Sequence, residues 1–262
     1  MSRRLRWSMV MFVCVVLVGL AGEKAFSGSV HGAHGTQFGE YQLRVFSDPP
    51  VIEANAQVNL TLTLLDPHGA AVRDLEIVHE KLVHLIVVRD GLDVFSHLHP
   101  DLVEGVFSKT VAFPAAGTYY IYADFKPLSG QPVTAMAEVR VQGDAMAAPA
   151  LEVHVPGRIM TEALGADITL EQVSGAYKIS FSVLAPDGTP VTDLEPYLGA
   201  MGHLVIISAD GKEYVHAHPV DGGPAGSVVF EAHFPGPGLY KAWGEFQRAG
   251  QVHAVPFALE VK

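Results

Sequence analysis

Two histidine trios are the residues in this chain most able to do chemistry. The segment HLIVVRDGLDVFSHLHP runs from His84 to Pro100, and HLVIISADGKEYVHAHP runs from His203 to Pro219. In each, a histidine is followed after twelve residues by His-x-His-Pro, which yields the sets His84, His97, His99 and His203, His216, His218. A neutral imidazole offers one nitrogen lone pair, and three that converge at roughly 2.0–2.1 Å hold a first-row transition ion such as copper or zinc. Met201, two residues before His203, joins the second set if its strand extends that far, and a thioether there tilts the site toward Cu(I). Leu82 stands at that place in the first copy. Asp124 (in YADF) and Glu245 (in WGEF) share one position of the repeat. Each is read either as a carboxylate that orients or joins the ligands, or as a solvated strand-end charge. His253 is an optional further ligand, whereas His68, His79, His154 and His233 have no counterpart and receive no role.

The trios need strands to position them. An Asp-Gly dipeptide between two apolar runs is a strong hairpin signal. A two-residue loop at Asp90-Gly91 predicts His84 opposite His97 with His99 diagonal. The same rule at Asp210-Gly211 predicts His203 opposite His218 with His216 diagonal. Side chains alternate along a strand, so either register leaves all three imidazoles of a trio on one face. Alternation in Val58–Leu64 and Tyr177–Leu184, short β-branched runs at His84 and His203, and recurring turn signals (DPHG, RDG, APDG, PGPG) complete an all-β pattern with no helical period. The expected fold is two tandem immunoglobulin-like, or cupredoxin-like, antiparallel β-sandwiches.

The tandem follows from an internal repeat. The segment from Leu60 to Val88 lies without a gap over that from Ile179 to Ile207, and FPAAGTYYIYADF resumes the register against FPGPGLYKAWGEF. The repeat places domains at residues 40–143 and 150–262. Before them, Arg3, Arg4 and Arg6 precede an apolar run to Ala21, the layout of a secretory signal over residues 1–22, or of an uncleaved anchor. Residues 23–39 read as a flexible linker carrying His31 and His34. Cys14, the single cysteine, lies within the signal without a lipobox, so the mature chain has no thiol and its stability comes from packing. With 49% hydrophobic and 17% charged residues the chain is neither disordered nor collagen-like nor polytopic. Its net charge of −11 opposes nucleic acid as a partner.

The stretch from Lys81 to Phe125, with KLVHLIVV, HLHP and PAAGTYYIYADF, resembles the secreted bacterial domains grouped as YtkA-like or cupredoxin-like. The second copy departs from that pattern with MGHL and WGEF. The resemblance implies a β-sandwich in the cell envelope, periplasmic or secreted, that handles copper or another heavy metal. The expected function is therefore non-catalytic binding of a transition metal, copper first and zinc as the alternative, for buffering, delivery or resistance. An envelope metalloprotein or transporter is the expected partner. The membrane enters only through the N-terminal segment if it stays uncleaved. A blue-copper carrier is disfavoured, because such a site needs a cysteine thiolate that the mature chain lacks. A second reading is an extracytoplasmic protein-binding or structural module with scaffold histidines. A cupin-like metal enzyme ranks lower: Gly91, His97, His99 and Glu104 match part of one cupin motif that the second copy does not keep.

Overall fold

The computed structural model describes residues 40–128, 130–144, 147–217, 219–220 and 226–262. The expected signal segment and linker (residues 1–22 and 23–39), with Cys14, His31 and His34, and His218 lie outside the described residues. The first half contributes β1 (Gln42–Asp48), β2 (Ile52–Glu53), β3 (Gln57–Leu65), β4 (Leu75–Glu76), β5 (Val83–Arg89), β6 (Phe95–Leu98), β7 (Asp101–Val103), β8 (Val106–Ala112), β9 (Gly117–Pro127) and β10 (Val133–Gln142). The second contributes β11 (Gly157–Met160), β12 (Gly165–Val173), β13 (Ala176–Leu184), β14 (His203–Ser208), β15 (Tyr214–Ala217), β16 (Val228–Ala232), β17 (Gly238–Arg248) and β18 (Gln251–Val261). Each half is a β-sandwich. One sheet of the first is β1-β3-β8-β7 and the other is β2-β10-β9-β5-β6, with β4 on β9. The second half pairs β11-β12-β13-β16 with β15-β14-β17-β18. All ladders are antiparallel except the short β2–β10 pair.

Alternation explains the outer strands, and its absence explains the inner ones. In β3 every second residue, Val58, Leu60, Leu62 and Leu64, enters the core while Asn59, Thr61 and Thr63 face outward. In β5 and β14 no residue faces solvent. Leu85 and Val87 pack into the first sandwich, and Leu204 and Ile206 into the second. Ile86 and Val88 turn the other way and meet Val205 and Ile207, joined by Leu92, Tyr122, Met136 and Trp243 in a third core between the domains. The two sandwiches therefore dock through the sheets that carry the histidines.

Contacts in this dock are reciprocal. Phe95 stacks on Trp243 at 4.5 Å, and Tyr214 stacks on Tyr122 at 5.1 Å. Phe95 and Tyr214 occupy one position of the repeat, as do Tyr122 and Trp243. Residue i of one half thus meets residue j of the other and vice versa, the mark of an isologous interface written within a single chain. The Tyr122 hydroxyl adds a bond to the Gly211 carbonyl at 2.7 Å.

The hairpin register of the first copy differs from expectation. Val88 pairs with Phe95 and Ile86 with His97, so the ladder continues toward His84 opposite His99, with His97 diagonal. The loop has four residues, closed by Arg89 N–H donating to Val94 O, and its centre falls at Gly91-Leu92. Leu92, at φ +58°, is buried in the inter-domain core, and Arg89 holds Asp93 with both guanidinium arms. Those two anchors favour the longer loop over the two-residue one. In the second copy a four-residue loop, closed by Ser208 N–H to Glu213 O, is centred on Asp210-Gly211. Val205 accordingly pairs with His216, the expected register. Both copies share one geometry after all.

Candidate metal centre

His84 is the second residue of the buried strand β5, and its ring nitrogens have distinct surroundings. Nε2–H donates to the Val78 carbonyl at 3.0 Å, which leaves the Nδ1 lone pair aimed inward. His97, on β6, has Nδ1 at 2.6 Å from Glu245 Oε2, so that nitrogen carries the proton and Nε2 faces His84. His84 Nδ1 and His97 Nε2 stand 3.1 Å apart, and His99 Nε2 lies 3.3 Å from the same His84 atom. The three rings each bring one nitrogen to within 4.8 Å of the others, a group able to hold a metal ion. Tetrahedral ligands at 2.0–2.1 Å stand about 3.3–3.4 Å from one another, close to the two short edges seen here.

The second copy repeats the tie to the main chain. His203 Nε2–H donates to Tyr197 O at 2.8 Å, and Tyr197 holds the place of Val78 in the repeat. His216 Nδ1 meets Asp124 Oδ2 at 2.9 Å. Each carboxylate springs from the strand beside the first histidine of its own domain, Asp124 across from His84 and Glu245 across from His203. Each then reaches the second histidine of the other domain. His84 and His216 ring centres are 5.4 Å apart, and those of His97 and His216 5.6 Å, so the described histidines of both trios form one continuous cluster.

Burial sets the charge of that cluster. His84 and His203 are pushed down to about 4, chiefly by burial, and His99 to about 3, by burial and then by the neighbouring His97. Burial also carries His216 well below the usual imidazole range. These rings are neutral at pH 7, as a ligand must be. Asp124 is raised to about 6 by burial against the pull of His84 and His97. A hollow of about 340 Å³ opens onto His84, His79, Asp124, His216 and Tyr214 and gives the cluster a route to solvent.

Of the expected site residues, the structure brings together His84, His97, His99, His203 and His216. Met201 precedes β14, which begins only at His203; it is 40% exposed and lines a hollow with Val191, Leu194 and Val220 rather than the one that opens onto His84 and His216. Asp124 and Glu245 are bound to histidines rather than left as solvated charges. Glu104 sits exposed at the turn between β7 and β8, at φ +52°, outside the histidine group. His253, on β18, pairs with Phe246 in the ladder and is not part of that group. His79, which has no counterpart in the repeat, has its ring 6.4 Å from that of His84 and 5.9 Å from that of His203, between the two copies. Leu198 holds its place in the second copy, so the repeat carried no signal for it.

A family profile described as a domain of unknown function, DUF8832, matches residues 36–143 and again residues 162–262. The chain belongs to that family. Both DUF8832 repeats contain a complete hairpin of the histidine type, so the cluster is assembled from corresponding parts of the two. No curated protein matches the chain significantly. Among solved structures it is similar to the Ca2+-stabilized adhesin with which an Antarctic bacterium binds ice, at 11% identity and a TM-score of 0.27, over 87% of this chain and 49% of that one. It is also similar to Salmonella alpha-2-macroglobulin (13%, 0.29, 87% and 15%) and to the Escherichia coli adhesin FdeC (18%, 0.26, 86% and 65%). The chain spans less than two thirds of each of these proteins, and the sandwich assignment rests on its own strands. Among the described residues no helix is long and apolar enough to cross a membrane.

Proposed function

We propose that this DUF8832 protein binds a first-row transition metal ion at the cluster between its two sandwiches, and that it acts as a non-catalytic metal-binding protein outside the cytoplasm. One observation carries the reading. His84 and His97 each have one nitrogen donating to an oxygen, so in their neutral forms the two remaining lone pairs face each other at 3.1 Å. Two lone pairs repel at that distance unless a cation or a proton lies between them, and burial disfavours a proton on the His84 nitrogen. The buried Glu245 and the partly buried Asp124 add negative charge, which a cation offsets. Copper is the first choice by its place in the Irving–Williams order, and zinc is the alternative. Met201 lies outside the strand that would aim its thioether at the histidines, which weakens the case for Cu(I) and makes Cu(II) and Zn(II) the ions to try first. The likeness of KLVHLIVV and HLHP to YtkA-like domains, and the signal-like N-terminus, support metal handling in the envelope, by buffering, delivery or resistance.

A second reading takes the histidines as scaffold for a protein-binding or structural module. The His97–Glu245 and His216–Asp124 bonds favour it, since both tie the domains together with no ion required. Thermal melts with and without Cu(II) or Zn(II) separate the two. An ion held only by the folded state adds about 2.7 kcal/mol at 100 times its Kd, which for a chain of this size is a rise of about 5–10 °C. An unchanged melting temperature with both ions rejects the metal reading in favour of the scaffold.

A further inference from the structure

Resting on the metal-binding reading, the geometry points to a centre that neither sandwich completes alone. We propose that Glu245 of the second domain is a positioning residue for the first domain's ligand set, fixing His97 in the tautomer that presents Nε2, so that metal affinity depends on domain docking. The first domain supplies all three nitrogens of the group, His84, His97 and His99. It does not supply the group that orients His97. Its own carboxylate at the matching position, Asp124, is engaged with His216 of the other domain.

Tautomer choice decides whether His97 is a ligand. A neutral imidazole has one proton and one lone pair, and the proton on Nδ1 is held by Glu245 Oε2 at 2.6 Å. Without that acceptor the ring is free to place its proton on Nε2, the atom directed at His84 Nδ1. A proton there occupies the position an ion needs. The side chains of His97 and Glu245 are 1% and 7% exposed, so water is poorly placed to replace the missing oxygen. His84 is different, because its orienting oxygen, Val78 O, belongs to its own domain. Dependence on the second domain therefore enters through His97. By linkage, an ion that is held better by the docked form must also strengthen docking by the same factor.

The test uses the two-domain chain lacking the signal segment, with the variants Glu245→Ala and Glu245→Gln. Zn(II) affinity is measured by chelator competition, and the His97 tautomer is read from the nitrogen shifts of 15N-histidine-labelled protein without metal. Loss of an orienting partner typically lowers metal affinity 10–100-fold. That loss is expected for Glu245→Ala, together with transfer of the His97 proton to Nε2. Glu245→Gln keeps an oxygen that accepts from Nδ1–H, so it should retain the tautomer and recover most of the affinity. A merely structural role would not move the tautomer. Wild-type affinity and an unchanged His97 tautomer in Glu245→Ala would overturn the inference. Should wild-type protein take up neither Zn(II) nor Cu(II), the metal reading fails by itself, while the tautomer measurement still decides what Glu245 does to His97.

Discussion

The interface between the sandwiches has an aromatic end and a histidine end, built on the same strands with opposite chemistry. At the aromatic end, Phe95 on Trp243 and Tyr214 on Tyr122 bury large rings beside Ile86, Val88, Val205 and Ile207. That end is stable as it stands, since apolar area leaves water and stacked rings add about 0.5–1.5 kcal/mol per pair beyond it. At the histidine end, imidazoles and two carboxylates are withdrawn from water, with ring nitrogens of His84, His97 and His99 directed at one another. Such an arrangement costs stability unless something bridges it. The contrast teaches that the first end can hold the domains by apolar contact alone, while the second adds two cross-domain hydrogen bonds around a cluster that the docking positions.

The largest expected effect tests the aromatic end. Trp243→Ala should lower stability by about 3–5 kcal/mol in chemical denaturation, and a loss below about 1 kcal/mol would mean that this end does not carry the docking. His97→Ala should leave the fold standing but reduce Cu(II) or Zn(II) affinity by more than about 100-fold, beyond what an orienting group alone contributes. Chelator competition gives that number, and equal affinity would detach His97 from the centre.

A weaker effect is expected from acid. In metal-free protein, His84 and His203 titrate near 4 and His99 near 3, while the unfolded chain takes up protons near 6.5. Between those values the unfolded state binds more protons, so stability rises with pH and is lost as pH falls from about 6.5 toward 4. Asp124, raised to about 6, acts with the opposite sign over part of that window, because its folded form takes up its proton first. Three histidines outweigh one aspartate, so urea midpoints should drop across the window, and a flat profile would show that the cluster is open to water. The smallest effect belongs to Met201→Leu, which should change metal affinity less than about twofold given an exposed side chain in a separate hollow.

Much of this was legible in the residues. The trios and the two sandwiches follow from a repeat whose register persists from Leu60 to His99, and alternation in β3 and β13 fixes which faces are cores. The register of the first hairpin was not legible at Asp90-Gly91. A buried Leu92 in a left-handed conformation and the Arg89–Asp93 pair shift the loop centre by one residue, and both act through tertiary contacts. The convergence of the trios was half legible. HLIVV and HLVII lack a polar face, which signals burial on both sides, but a strand does not say what will cover it. The position of Asp124 and Glu245 in the repeat was visible, whereas their exchange of partners was not, because no local pattern encodes a contact separated by 148 residues such as that of His97 with Glu245. His79 lay beyond reach for the same reason.

That exchange of partners has a consequence for how such a molecule can vary. In a true homodimer every substitution appears twice, on both sides of the axis. Here the two halves share one backbone, so a change can be confined to one side, as with histidine at 79 where the other half has leucine at 198, or a shorter acid at 124 than at 245. The cavity can in this way become lopsided, with unequal donors and unequal reach, while the surrounding scaffold keeps its two-fold plan.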